Sequence, residues 1–368
     1  MHRPATSICS SVRQFTLITA LMLTVMFGAS SSYAGTISTV ASTIPGNGDI
    51  NPYGVAVVPT TTGSLVQGNI LVSNFNAASN DQGTGTTIVQ VSPESKSASL
   101  FAQIDAKHLP GPCPGGIGLT TALVALKSGW VIVGSLPTSN GKSPTAKAGC
   151  LLVLNSSGKV VDTFFGSLIN GPWDMTAADF GSHASLFVTN VLNGTVAAGG
   201  KVVNEATVIR LDLTIAAGAE PSLQSITVIG SGFSERTDPA ALVIGPTGVG
   251  LGVFNEVLYV ADSLNNRIAA IVDPLDRTSS AGTGITISKG GSLNDPLGLA
   301  VAPDGNIVTV NGNNGFAVIT TPFGQQLTKI LLDNMNSPPG SGALFGLAIV
   351  GQKIYFVDDN ENSLNVFQ

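Results

Sequence analysis

Six short polar residues recur at one position of a repeated pattern along this 368-residue chain: Asn74, Ser135, Asn190, Asp262, Asn311 and Asp358. Side chains of this kind have two uses. At strand ends they accept backbone hydrogen bonds and tolerate turn conformations. Gathered in one place they would ligate Ca²⁺ or another divalent ion, which favours six to eight oxygen ligands. In that second use Asp262 and Asp358 carry the charge, with Asn190 and Asn311 beside them and Asp359-Asn360-Glu361 following directly. Neither acidic stretch has the glycine or the spacing of an EF-hand loop. Nucleophilic chemistry has little support. No Gly-x-Ser-x-Gly elbow occurs, and His108 and His183 are far apart in the repeat pattern. The glycine-rich stretch 245–252 lacks the Lys-Ser/Thr of a phosphate loop and reads as a hairpin turn.

Cys113 and Cys150 bracket one repeat. A disulfide, two free thiols and a thiolate metal pair are the three readings of them. With no histidine cluster nearby, the expectation is a disulfide that ties down loop 134–149 in an oxidising compartment. Residues 1–34 support that compartment. Arg3 and Arg13 precede an apolar core at 15–29, and Ser32 and Ala34 supply the small residues of a cleavage site after Ala34. The core is shorter than the roughly 20 residues that span a bilayer. Residues 1–34 are therefore expected to be a signal peptide, and 35–368 a secreted or periplasmic protein without stable membrane insertion.

The elements that position these residues follow from a pattern repeated six times. A turn with Pro or Gly leads to an apolar run, a Gly/Asn turn, and a second run ending in one of the six polar residues. The openings are NPYGVAVVP (51–59), GGIGLTTAL (115–123), GPWDMTAAD (171–179), DPAALVIGP (238–246), DPLGLAVAP (295–303) and ALFGLAIVG (343–351). Each is followed by runs rich in Val, Ile and Leu, and helix-length amphipathic stretches are missing. Short strands joined by tight turns, recurring at a fixed period, predict radially stacked sheets. The fold class is all-β, a six-bladed β-propeller. The last unit has only three strands, and residues 36–43 form an orphan strand at the start. Pairing the two closes the ring and protects an open edge.

Composition agrees with a turn-rich exported fold. Only 10% of residues are charged against 43% hydrophobic, with 44 Gly and 20 Pro. Sixteen Lys and Arg against 22 Asp and Glu give a net charge of −6, which argues against a nucleic-acid partner.

The stretches DPLGLAVAPDGNIVTVNGNNGFAVI (295–319) and VLYVADSLNNRIAAI (257–271) resemble NHL repeats, with a Pro-x-Gly start, an Asp-Gly turn, a strand ending in Asp, and Asn-Asn-Arg. The resemblance implies a propeller fold and leaves the chemistry open. Propellers of the gluconolactonase/regucalcin type are more distantly similar. Their lactonases hold a divalent ion through Glu, Asn and Asp at the tops of inner strands. The corresponding positions here are expected at Tyr53, Ile117, Trp173, Ala240, Leu297 and Phe345, followed by Gly54, Gly118, Asp174, Ala241, Gly298 and Gly346. Asp174 is the one candidate ligand among them, so this chain departs from the lactonase metal set. Tyr53, Trp173 and Phe345 instead form an apolar mouth, either packing between blades or receiving a small ligand.

The upper loops of the first three blades, near 75–85, 136–149 and 191–205, are long, and those of the last three are short. Long loops gathered on one sector suit recognition. The sequence thus favours an exported binding module without catalysis, contacting an unidentified protein or a neutral polar ligand through its upper face, with no required cofactor. The alternative is a metal-dependent lactonase- or lyase-like hydrolase at the channel mouth, using Asp174 with Asp262 or Asp358.

Overall fold

In the computed structural model of the chain, the described residues are 35–368, and they form one unit. The predicted signal peptide lies outside them. The β-branched runs pair with their sequence neighbours into six antiparallel sheets. Strand β1 (Ile37–Ser42) comes first. Blade 1 is β2 (Ile50–Val57), β3 (Ile70–Asn76), β4 (Thr87–Ser92) and β5 (Ser97–Gln103). Blade 2 is β6 (Leu119–Ala125), β7 (Val131–Ser135), β8 (Cys150–Leu154) and β9 (Val160–Phe164). Blade 3 has five strands: β10 (Pro172–Asp179), β11 (His183–Asn190), β12 (Val203–Thr214), β13 (Ser222–Asp238) and β14 (Leu242–Ile244). Blade 4 is β15 (Pro246–Leu251), β16 (Val257–Asp262), β17 (Arg267–Val272) and β18 (Ile285–Lys289). Blade 5 is β19 (Pro296–Val301), β20 (Ile307–Asn311), β21 (Phe316–Thr320) and β22 (Gln326–Leu331). Blade 6 is β23 (Leu344–Val350), β24 (Lys353–Asp358) and β25 (Ser363–Phe367), completed by β1.

The ring closes as the sequence predicts. β1 runs antiparallel to β25, with Ile37 opposite Phe367 and Ser42 opposite Ser363. Without β1 the outer edge of blade 6 would present unpaired backbone groups to other chains. No helix among the described residues is long and apolar enough to cross a membrane.

The inner strands β2, β6, β10, β15, β19 and β23 surround the axis in that order. Each carries a break in register near its start, for example between Pro296 and Leu299 or between Leu344 and Leu347. At the break, neighbouring inner strands come so close that a Cβ on Gly298 would collide with the Phe345 carbonyl, and one on Gly346 with the Tyr53 carbonyl. The Pro-x-Gly signature therefore marks the closest backbone approach between blades.

Two strand assignments read from the sequence need correction. Blade 4 opens at Pro246, not at Asp238. Pro246-Thr247-Gly248 supplies the glycine whose Cβ would strike the Leu297 carbonyl. Asp238-Pro239 instead makes a turn, the Asp238 carboxylate accepting the N–H groups of Ala240 and Ala241 at 2.8 and 3.2 Å. The chain then adds β14 to the edge of blade 3. In blade 2 the inner strand begins at Leu119, so Thr120 and Thr121, not Ile117, occupy its break.

Adjacent blades are also stitched by asparagines in left-handed turns. Asn266 accepts the Asp295 N–H at 2.6 Å, and Asn362 accepts the Asn51 N–H at 2.7 Å. Both bonds hold the residue before an inner-strand proline, so they fix the upper rim of the channel.

Candidate functional site

The inner-strand breaks place three aromatic residues on the axis. Tyr53 stacks on Phe345 with ring centroids 4.0 Å apart, and on Phe75 at 4.3 Å. Trp173 stands edge-on to Tyr53 at 5.9 Å and to Phe75 at 5.6 Å. Tyr53 is 1% exposed and Trp173 3%. These rings close the channel and form the floor of a cavity on the upper side. Leu136, Val191, Leu242 and Val243 belong to the same apolar cluster, so the upper loops of blades 2 and 3 and strand β14 fold inward over half of the plug.

The upper cavity, about 520 Å³, lies over the remaining half. Tyr53, Trp173 and Phe345 are its floor, Arg236, Asp238, Ala240, Ala241, Val243 and Ile244 one wall, and the tops of blades 4–6 the other. Its polar lining includes Asn51, Asn266, Asn294, Asn313 and Asn336 and the carboxylates of Asp238, Asp295 and Asp359. Asp238 is neutralised by Arg236 at 2.6 Å. Among the described residues, Asp295 and Asp359 accept no hydrogen bond through their carboxylates, so their oxygens are left to the cavity. Burial, with the Asp238 charge nearby and Arg236 opposing, raises Asp295 from 3.8 to about 6. Burial raises Asp359 likewise to about 6. The Tyr53 phenol is pushed up by burial and then by Asp359, with Asn51 opposing. The Asn51 Oδ1 atom is buried without a partner.

Tyr53, Trp173 and Phe345 are thus brought together, but Asp174 is not with them. It occupies the inner-strand position that is glycine in blades 1, 4, 5 and 6, and its side chain reaches across to accept the Val249 N–H at 3.0 Å. It lines a second cavity on the lower side of the plug. The four residues considered as metal ligands stay in four different blades. Asp262 is held by Arg267 at 2.7 Å and by Asn265 at 2.9 Å. Asn311 donates to the Ser292 carbonyl at 2.8 Å and accepts the Asn294 N–H at 3.1 Å. Asn190 accepts the Gly171 N–H at 3.4 Å, while its Nδ2 is buried without a partner. Asp358 accepts the Asn360 N–H at 3.0 Å, and burial followed by the charge of Asp333 raises it to about 7. Among the described residues no three His, Cys, Asp or Glu side chains form a metal-binding group. The members of the strand-end series make hydrogen bonds at turns and blade edges.

Cys113 and Cys150 are joined in a disulfide, with Cα atoms 5.1 Å apart. His108 pairs with Asp105 on the exposed surface at 2.6 Å, and His183 stacks on Phe180 at 4.7 Å. Neither histidine lines either of these two cavities.

The sequence reading passed over Asp295, Asp238, Arg236 and Asn51. One signal was present: Asn51, Asp238 and Asp295 each directly precede a proline, and the rim of the channel is built from such residues.

No family model matches the sequence, and no curated protein does. Among solved structures, the chain is similar to a gluconolactonase from Xanthomonas campestris, at 11% identity over 90% of this chain and 89% of that one, with a TM-score of 0.55. A calcium-binding regucalcin from Agrobacterium tumefaciens is similar at 11% identity, over 91% of this chain and 92% of that one, with a TM-score of 0.57. A luciferin-regenerating enzyme is similar at 10% identity, over 91% and 95%, with a TM-score of 0.56. At such identities the likeness shows the fold: this chain is a six-bladed β-propeller with structural neighbours among gluconolactonases and regucalcin.

Proposed function

We propose that the protein binds a small, neutral, hydroxyl-rich ligand in the upper axial cavity. The observation that carries this reading is the pair of carboxylates, Asp295 and Asp359, which face the cavity without a protein donor. Such oxygens call for hydrogen-bond donors from a ligand, since a half-buried carboxylate without a donor is partly stripped of water. The surrounding amides add both donors and acceptors, and the aromatic floor offers an apolar surface for the C–H faces of a sugar-like ring. Free anions are disfavoured by two uncompensated carboxylates. Isothermal titration against neutral polyols and monosaccharides, with aldonate anions as the contrast, tests the proposal. A neutral polyol should bind, and Asp295→Asn with Asp359→Asn should weaken it by at least tenfold. Equal binding of polyol and aldonate, or binding that survives the double substitution, overturns the reading.

A second reading is hydrolysis of a lactone or ester at the same place. It is favoured by the ionisation of Asp295 and Asp359 near pH 6, which suits a general base close to neutrality. Lactone turnover that Asp359→Asn abolishes would decide for it over simple binding. We also read blades 4 and 5 as NHL-type repeats on their Pro-x-Gly starts and Asn-Asn-Arg turn. Export through the leader at 1–34 is in keeping with the disulfide.

A further inference from the structure

Below the aromatic plug lies a cavity of about 420 Å³ that opens on the lower face. Its side-chain lining includes Val55, Leu123, Met175, Leu251, Leu299 and Leu347, one from each of the six inner strands, together with Thr121 and Thr176. One carboxyl group faces it from within, that of Asp174. The titratable residues lining this cavity are Asp174, Lys127 and Asp179; β2, β15, β19 and β23 contribute none. Lys127 and Asp179 are engaged with each other at the outer rim, the Lys127 Nζ donating to the Asp179 carbonyl at 3.0 Å and the Asp179 carboxylate accepting the Lys127 N–H at 2.5 Å. No cation therefore reaches Asp174 from within the described residues. Its hydrogen bonds come from the main-chain N–H groups of Met175 and Val249.

From this arrangement we propose that the lower cavity is a binding site for a small aliphatic amine, taken up as its ammonium ion with Asp174 as the counter-ion. The N–H bonds from Met175 and Val249 orient the carboxylate as an acceptor. Main-chain carbonyls on the free edges of the inner strands are available to the remaining ammonium hydrogens. The apolar side chains then bury the alkyl body, which favours removal of each CH₂ from water. The site is separate from the upper cavity and does not depend on the ligand proposed there.

Burial raises Asp174 from 3.8 to about 8, the two main-chain N–H bonds opposing. In the free protein at neutral pH the group is thus largely protonated. Uptake of an ammonium ion converts it to the carboxylate and releases its proton to solvent, so affinity must rise with pH.

Hexylamine is the probe, with hexan-1-ol as its neutral counterpart. Calorimetry should show hexylamine affinity rising close to tenfold per pH unit between 6 and 7.5 and levelling above 8. Titrations at pH 7 in two buffers of different ionisation enthalpy should show close to one proton released per amine bound. Hexan-1-ol should show no such slope. Asp174→Asn keeps an acceptor for the Val249 N–H, and it should weaken hexylamine at least tenfold and remove the slope. In the wild-type protein, carboxyl carbon NMR should show saturating hexylamine lowering the Asp174 titration midpoint, a readout that needs no variant. Absence of hexylamine binding at pH 9, an alcohol that binds with the same pH profile, or an Asp174 midpoint unmoved by the amine overturns the proposal.

Discussion

On the upper face, blades 1–3 and blades 4–6 use their loops in opposite ways. The long loops of the first three blades are bound to one another. Thr138 donates through Oγ1 to the Gln82 carbonyl at 2.6 Å and through its N–H to the Gly83 carbonyl at 2.9 Å. Gln82 in turn donates to the Ala240 carbonyl at 3.0 Å. Val191 and the buried Thr195 anchor the blade 3 loop, with Val191 joining the cluster around the aromatic plug. These loops are walls and roof, and excision of the blade 3 loop would open the core. The short loops of blades 4–6 leave the axis uncovered, and the cavity forms there. Where loops are long enough to reach the axis they fill it, and the recess opens where they are not.

The largest effect expected from this contrast is on the covalent tie in blade 2. The disulfide joins residues 37 apart and pins both ends of the segment that carries the 136–149 loop. Replacing both cysteines by serine should cost about 2–4 kcal/mol. Chemical denaturation measures it, and amide exchange locates it. Exchange should quicken across 136–149 and stay unchanged around Asn294 and Asp295. If the amides of blades 4–6 quicken equally, the two halves are not mechanically distinct.

A smaller effect is expected in the open half, and it depends on pH. Asp295 ionises at about 6 in the folded protein and near 3.8 when unfolded. Between those values the folded state holds the extra proton, so stability present below pH 3.8 is lost as pH rises toward 6 and stays lost above it. Asp295→Asn removes this loss. At pH 7.5 it should stabilise the ligand-free protein by about 1–2 kcal/mol, discounted for the partial exposure of the group, and below pH 4 it should have no effect. Thermal unfolding across pH 3.5–7.5 is the measurement. A variant that gains stability while binding the ligand less well marks a carboxylate kept for binding at the expense of folding. A pH-independent change would mean that Asp295 acts through packing instead.

The propeller was legible because its signals are local and repeated. Period-two apolar runs, a turn after each, and a spare strand at the start are sufficient to count blades and close the ring. The inner-strand starts of blades 2 and 4 were harder, and the reason is specific. Asp238-Pro239 and Asp295-Pro296 are the same dipeptide, but Asp238 caps its own turn whereas Asp295 adopts a left-handed conformation and is held by Asn266 of the preceding blade. What separates the two is the glycine two residues after Pro296, Gly298, which has its equal in Gly248 after Pro246, whereas Pro239 is followed at that place by Ala241. Asp262 shows the same limit. Its strand-end position suggested a metal ligand, while Arg267, directly opposite it in the β16–β17 register, pairs with its carboxylate. The plug residues Tyr53, Trp173 and Phe345 were visible as a set because the repeat aligns them. Asp295 and Asp359 were not visible as a pair, since nothing local tells that 236–244 folds over the axis beside them.

The smallest expected effect is at Gln82, where the closed half touches the wall of the open one. Its amide crosses from the blade 1 loop to the carbonyl of Ala240, and on the way offers a weaker bond at 3.4 Å to Pro239. The side chain is half-buried, its Oε1 has no partner among the described residues, and the bond to Ala240 lies at the exposed rim where water can replace it, so Gln82→Ala should lower stability by under about 1 kcal/mol. Its consequence should be local. Segment 238–242 is fixed by the Asp238 turn and by burial of Leu242 and Val243, and Gln82 is its link to blade 1. Amide exchange at Ala240 and Ala241 should quicken several-fold, and ligand affinity in the upper cavity should fall by a factor of two to five through a looser wall. Unchanged exchange at Ala240 and Ala241 would show that the wall stands without the long loops, and that the two halves of the face are independent.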